Sequence, residues 1–216
     1  MAQKGLTREN VVPTALALLD EVGLEGLNMR ALATQLEVKA PALYWHFASK
    51  QDLVDEMATA LWREVQAGAV FPEAEPWQDR MFRFATSLRR TLLAHRDGAR
   101  LFSGTYLTDV SILEAQEQPL AALVAGGMSL ETAVEISNVL YSFTVGSTIE
   151  EQSVAQASEV DDRYDLANRE QRIDPERFPL MTAAGRLSFP EPGARFERIV
   201  GRLIASFADW ETRGVD

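Results

Sequence analysis

Apolar residues recur along this chain at steps of three and four rather than two, the spacing that lines one face of a helix instead of one face of a strand. After Thr7, a predicted N-cap, Val12, Leu16, Leu19 and Val22 keep that step until Gly23 stops the helix. Pro13 falls inside this pattern, where it either kinks the helix or marks a frayed first turn, since it has no N–H for the carbonyl four residues back. Asn28 is read as the cap of a short second helix through Gln35, with Leu32 and Leu36 facing inward. Pro41 is placed to open a third helix, where a missing N–H costs nothing, and that helix is predicted to end near Phe47. Ser49 caps a fourth, in which Leu53, Met57, Leu61 and Val65 step by four.

Residues 68–76 hold Gly, two prolines and acids, and read as a loop into a second domain. A long helix is expected over 77–95, closed by Asp97-Gly98. Another is expected over 109–125, with a bend at Pro119 and a stop at Gly126-Gly127. Ser129, with Glu131 and Glu135 close behind, opens a helix expected to run to about Gln152. Residues 153–178 are rich in Asp, Glu, Arg and Gln, and predict a mobile, solvated loop with some helix at most. The last helix, over 193–213, carries a stripe of Phe196, Ile199, Val200, Leu203, Phe207 and Trp210. No strand pattern and no repeat stands out. The expected fold class is all-α: an N-terminal three-helix domain (1–50), a linking helix (51–67), and a C-terminal helical domain (68–216).

Composition narrows the class. The 216 residues are 46% apolar and 25% charged, enough for a packed core. No run approaches the ~20 apolar residues of a membrane span, and the first residues lack a signal-peptide pattern, so a cytoplasmic protein without membrane partners is expected. The absence of cysteine excludes disulfides, thiolate nucleophiles and thiolate metal sites. With two histidines and no Gly-rich phosphate loop, no catalytic constellation can be assembled, and no cofactor or metal is expected. The net charge of −11 is unlike a nucleic-acid binder. Between positions 28 and 50, however, Arg30, Lys39 and Lys50 face only Glu37, with Lys4 and Arg8 just upstream. Phosphate contact depends on the local field at the docking face, so a small basic face on an acidic body is consistent with DNA binding.

Two short helices joined by the Glu37-Val38-Lys39-Ala40 turn have helix-turn-helix geometry, which sends the start of the second helix into a major groove. Arg30 suits bidentate bonding to guanine O6 and N7. Ala40, Pro41 and Ala42 offer contacts to thymine methyls. Tyr44 and His46 can donate to phosphates, and Lys50 can anchor the backbone. Plainer readings exist: Trp45 as a packing residue between the third and fourth helices, and His46 as a surface or capping histidine.

The run TALALLDEVGLEGLNMRALATQLEVKAPALYWHFASKQDLVDEM resembles the N-terminal domain of the tetracycline repressor (TetR) family, through LYWHF, the preceding Pro41, the Gly23/Gly26 pair and Lys50. The resemblance implies DNA contacts at Asn28, Met29 and Arg30, and at Ala40, Pro41, Ala42, Tyr44, Trp45, His46 and Lys50. Alanines stand where polar side chains can sit, so base hydrogen bonding falls mainly to Arg30.

The likeness continues through WQDRMFRFATSLRRTLLAHRDGARLFSGT, SLETAV and TVGSTIEEQ into the tetracycline-repressor subgroup, and is weakest over 153–178. It implies a homodimer that binds a palindromic operator in double-stranded DNA and releases it on binding a small-molecule effector. The helix from Ser129 and the last helix would pair with their mates. The 196–210 stripe agrees, unless it packs only within its own chain. In tetracycline-binding members a histidine coordinates the drug's magnesium; the matching residue here is Phe102, which cannot ligate a metal. Other polar drug contacts fall on Gln66, Phe84 and Tyr106, with Gln118 and Glu150 remaining. Phe84, Leu88, Phe102 and Tyr106, with Tyr141 and Phe143, predict an apolar, aromatic lining for a flat hydrophobic molecule, or else a filled core without a pocket. Ligand would act on the fourth helix through contacts near 95–101, with His95-Arg96-Asp97-Gly98 either the coupling turn or simply a helix C-terminus. The remaining alternative is a helical small-molecule-binding dimer without DNA-binding activity.

Overall fold

Thr7 opens the first helix by a reciprocal cap: its hydroxyl accepts the Asn10 N–H, and the Asn10 side chain accepts the Thr7 N–H at 2.9 Å. In this computed structural model, which describes residues 6–68, 75–164 and 166–212, every element is helical. Helix α1 (Arg8–Gly26) passes through Pro13 and leaves helical geometry only at Gly23, at φ 72°. That left-handed conformation is open to glycine at no steric cost. A Cβ at Gly23 would also lie 3.0 Å from the Asp97 carboxylate. Helix α2 (Met29–Gln35) is capped by Asn28, whose Oδ1 accepts the N–H groups of Arg30 and Ala31. Helix α3 (Ala40–Tyr44) is shorter than its sequence predicts. Its last turn tightens as the N–H groups of His46 and Phe47 both reach the Leu43 carbonyl, which turns fully buried Phe47 into the core. Helix α4 (Lys50–Gly68) follows, its first turn held by Ser49. The expected loop over 68–76 lies largely outside the described residues.

The second half comprises α5 (Trp77–Leu93), α6 (Gly98–Phe102), α7 (Ser111–Ala125), α8 (Leu130–Val160), α9 (Leu166–Gln171), α10 (Pro179–Ser188) and α11 (Pro192–Thr212). The expectation of a solvated loop over 153–178 is corrected for its first part, while residues 172–178 lie in turns. Helix α8 runs two turns past Gln152, a 3₁₀ turn covers Asp162–Tyr164, and α9 follows. Residues 153–160 hold Ala155, Gln156 and Ala157, good helix formers, so low hydrophobicity there marks an exposed helix rather than a loop. Pro119 sits inside α7, which continues through it.

Two buried clusters organise the chain. One joins the first three helices to α4 and continues without a break into Leu88, Leu92, Phe102 and Val145. The other packs α5, α7 and α8 against Phe196, Val200, Ile204 and Phe207 of α11. The α11 stripe is therefore largely covered by its own chain: Phe196, Val200 and Phe207 are buried, while Ile199 and Leu203 are half-buried. The side chain of Trp210 lies outside the described residues. Among the described residues no helix is long and apolar enough to cross a membrane.

Candidate functional site

The α2–turn–α3 unit displays one polar face. Arg30 projects from the first turn of α2, fixed there by the Asn28 cap, and is exposed. Lys39, the backbone N-cap of α3, is exposed too and makes no side-chain cap bond. Neither these two nor Lys50 forms an ion pair among the described residues, so three positive charges on this face are uncompensated locally. Tyr44 is exposed, and Trp45 is 88% exposed, which removes its reading as a packing residue between helices. Pro41 is exposed; Ala42 and His46 are half-buried. Ala40 is half-buried and packs against the core.

Three expectations change. Met29 is buried in the core, so only its backbone can reach a partner. Asn28 is exposed, but its amide is occupied, accepting two N–H groups and donating to the Gly26 carbonyl at 2.8 Å. Arg8, counted from the sequence with the local basic charge, is drawn inward onto Asp52 and Glu56 of α4 and over the Phe47 ring. Lys50 stays exposed, and its ammonium donates to the Leu24 carbonyl at 3.1 Å.

Behind this unit, α1 is tied to the α5–α6 turn. Asp20 accepts the Arg96 N–H at 2.9 Å and approaches His95 Nδ1 at 3.1 Å, while buried Asp97 accepts the Leu24 N–H at 2.9 Å. The turn is held from the other side by Gln152 of α8. Its amide donates to the Leu92 and His95 carbonyls and accepts the Ala99 N–H. Gly98 belongs here because a Cβ would lie 2.3 Å from the Leu92 carbonyl oxygen.

A second tie runs along α4. Glu56 accepts from Arg8 and from the Thr108 hydroxyl, Asp55 accepts the Tyr106 N–H, and Arg63 bonds Asp109 at 2.7 Å. The Asp109 carboxyl is lowered from 3.8 to about 2, first by the Arg63 hydrogen bond and then by the Ser111 N–H. Its folded value lies below the unfolded one, so this contact contributes fully above the ordinary 3.8 and is lost as pH falls through about 2. Acid titration followed by Trp62 fluorescence should show α4 loosening in that window, and Asp109→Asn should remove the step.

A cavity of about 730 Å³ opens among α4, α5, α7 and α8. Trp62, Val65 and Gln66 line it from α4, Arg80, Met81 and Phe84 from α5, Gln118, Pro119 and Leu123 from α7, and Asn138 and Tyr141 from α8. The Trp62 ring is stacked with Phe84 and lies parallel to Tyr141 within 3°, both at 6.2 Å between centroids. Burial pushes the Tyr141 phenol up, keeping it neutral. Gln66 donates to the Ile112 carbonyl at 3.2 Å, which leaves its oxygen for a ligand.

Of the residues expected to touch a ligand, Gln66, Phe84, Gln118 and Tyr141 line this cavity. The others do not. Phe102 is buried behind the wall, 5.1 Å from the Trp62 ring, and Leu88 is fully buried in the core. Tyr106 is 75% exposed on the segment before α7. Phe143 turns away to stack on Phe196, and Glu150 is exposed beyond the cavity. Helical spacing alone cannot tell a wall residue from one behind it, because both face the same side. Trp62 was missed since it lies off the α4 stripe, and Arg80 because a single charge in an amphipathic helix reads as solvated. Among the described residues, no group of three or more His, Asp or Glu could hold a metal.

Residues 12–57 match the family model described as bacterial regulatory proteins, tetR family, and residues 71–206 match the tetracyclin repressor-like C-terminal domain. The chain is 40% identical over 199 residues to the class C tetracycline repressor protein of Escherichia coli, spanning 92% of this chain and 89% of that protein. A crystal structure of a possible TetR family transcriptional regulator from Streptomyces coelicolor A3(2) superposes with TM-score 0.81 at 34% identity, covering 94% and 99% of the two chains. The Streptomyces coelicolor TetR family protein ActR, in complex with actinorhodin, superposes with TM-score 0.77 at 28% identity over 97% and 98%.

Proposed function

Because the chain belongs to the tetR family of bacterial regulatory proteins, we propose that it is a repressor that binds a palindromic operator as a homodimer and is released by a small, largely hydrophobic or aromatic effector. The observation that carries this reading is the exposed face of Arg30, Lys39, Tyr44, Trp45 and Lys50 on an otherwise acidic chain. Arg30 reads a base, Tyr44, His46 and Lys50 hold phosphates, and Pro41 and Ala42 contact thymine methyls. The division into a reading head (1–50), a linking helix (51–67) and a sensing and dimerising part (68–216) follows the same roles. No catalytic step is proposed, and a cytoplasmic location follows from the DNA target.

Effector and operator meet in α4. One end of this helix carries Trp62, Val65 and Gln66 on the cavity wall, and the other carries Lys50 and Asp52 beside the head. A ligand that fits the cavity better in the dimer whose heads misfit the operator shifts the population to that state, by no more than its difference in affinity. The homodimer is supported by apolar surface that the chain leaves open, Leu130, Val134 and Val139 on α8 and Leu180, Met181 and Leu187 on α10. ActR in complex with actinorhodin supports a bound effector on this scaffold.

The test is a gel shift of the full chain on the intergenic DNA upstream of its own gene, with a duplex of scrambled sequence as control. A specific complex at two protomers per palindrome is expected. Failure to bind any palindrome overturns the regulator reading in favour of a DNA-independent sensing dimer. Tetracycline with magnesium is expected to leave the complex intact, since Phe102 is not a metal ligand and stands behind the wall. Tight, magnesium-dependent binding would refute that.

A further inference from the structure

We infer that the cavity among α4, α5, α7 and α8 selects uncharged, flat aromatics that carry a carbonyl, with the Tyr141 hydroxyl and the Trp62 N–H as the donors that recognise it. This rests on the reading of the cavity as the effector site and adds to it a charge and a functional group. No carboxylate lines the cavity among the described residues, and Arg80 is the one charged side chain on its wall. That guanidinium is already engaged: its Nε donates to the Glu75 backbone carbonyl at 3.1 Å, and it has a further partner besides. A cation carried to the aromatic wall would find no counter-ion, and an acid would find only a guanidinium held elsewhere. Either would lose hydration without an equivalent partner. The ring faces that could attract a cation are turned on one another, Trp62 stacked with Phe84 and parallel to Tyr141.

The remaining polar groups are neutral, and donors stand out among them. Trp62 and Tyr141 are half-buried on the cavity wall, and neither the indole N–H nor the phenol O–H forms a hydrogen bond among the described residues. Indole and phenol groups taken out of water normally have a partner. Burial pushes the Tyr141 phenol up, so it remains a donor at neutral pH. Gln66 supplies the complement: its Nε2 donates to the Ile112 carbonyl at 3.2 Å, which leaves Oε1 as an acceptor. Trp62 and Gln66 are four residues apart on α4, so they stand about 6 Å apart on one helix face. A flat ligand whose carbonyl meets Tyr141 and Trp62 therefore reaches Gln66 with an N–H or O–H about one ring away. A hydrocarbon of the same shape would fill the space, but it would strip water from both donors and leave them unpaired.

The probes for the test are 9-fluorenone and fluorene, one flat tricyclic frame with and without the carbonyl, measured by equilibrium dialysis against the full-length protein. Fluorenone is expected to bind at least about fivefold tighter, the factor that one net hydrogen bond supplies. The double variant Trp62→Phe with Tyr141→Phe keeps a ring at both positions and should erase that ratio. For charge, 9-fluorenone-2-carboxamide should bind at least about tenfold tighter than 9-fluorenone-2-carboxylate, which has nearly the same shape. Proflavine, a flat aromatic cation, should displace none of them, and Trp62→Ala should weaken them all. Fluorenone that binds no better than fluorene, or not at all, overturns the ligand class while leaving the effector cavity standing. So does a ratio that survives the double variant, a carboxylate that matches the carboxamide, or displacement by proflavine. Affinities that ignore Trp62→Ala place the probes elsewhere and overturn the cavity reading itself.

Discussion

Replacing Gln152 by leucine is expected to lower the unfolding free energy by about 2–6 kcal/mol, from a total that for such domains is on the order of 5–15 kcal/mol. The expectation follows from helix ends. The last carbonyls of α5 and the first N–H groups of α6 have no partners within their own helices. The turn between them packs against α8, with Leu92 and residues 97–99 buried while Ala94 and Arg96 are exposed. Gln152, itself buried, closes this gap with one amide: its NH2 donates to Leu92 at 3.0 Å and to His95 at 2.7 Å, and its oxygen accepts from fully buried Ala99 at 3.1 Å. Leucine matches glutamine in size but offers no polar atom, so the Leu92 carbonyl and the Ala99 N–H would be left unpaired, at about 1–3 kcal/mol each before relaxation, while the His95 carbonyl keeps the Gly98 N–H. Urea unfolding at fixed protomer concentration should show a lower midpoint with an unchanged slope. A loss under about 1 kcal/mol would mean that water takes over the bonds to the Leu92 carbonyl and the Ala99 N–H, and that Gln152 does not shield them. Because Asp20 and Leu24 grip the same turn from α1, the folded fraction of this variant should also show a weakened operator response to effector.

Helix starts were legible in the sequence because their caps are local chemistry. Thr7, Asn28 and Ser129 each bond an N–H within three residues, and the pattern needs no tertiary knowledge. The end of α8 was not legible, since polar content over 153–160 describes a solvated helix as well as a loop. Nor was the destination of the α11 stripe, because periodicity shows that a face is buried but not against what. Long-range polar ties were invisible for the same reason. Gln152 lies 53 residues from Ala99 and Asp20 lies 76 from Arg96, and neither residue stands out among neighbours of like polarity. In the reading head, Trp45 was placed by resemblance and Arg30 by its bonding chemistry as well, and both are exposed. Met29 fell on the wrong face because two neighbouring residues in a helix point about 100° apart.

Arg30→Ala is expected to cost the dimer a hundredfold or more in operator affinity, on the order of 2–6 kcal/mol summed over two half-sites at about 1–3 kcal/mol per bidentate pair. The size of the effect comes from how little else on this face can read a base. Ala40, Pro41 and Ala42 have no hydrogen-bonding side chain, Met29 is buried, and the Asn28 amide is occupied by its cap. Arg30 is exposed and forms no ion pair among the described residues, so its guanidinium need not break a contact to bind. Selection from a randomised half-site should therefore show a strong guanine preference at one symmetric base pair, and Arg30→Ala should abolish the preference at that pair alone. Lys50→Ala should behave differently. A phosphate contact weakens all sequences alike and, when removed, lowers the salt slope by about 1 per half-site. Lys50 also holds the Leu24 carbonyl at 3.1 Å, so the thermal midpoint of this variant separates lost contact from a loosened head. If Arg30→Ala instead weakened every sequence equally and flattened the salt slope, Arg30 would be a phosphate anchor. Base readout would then pass to Lys39, an exposed cation at the start of α3.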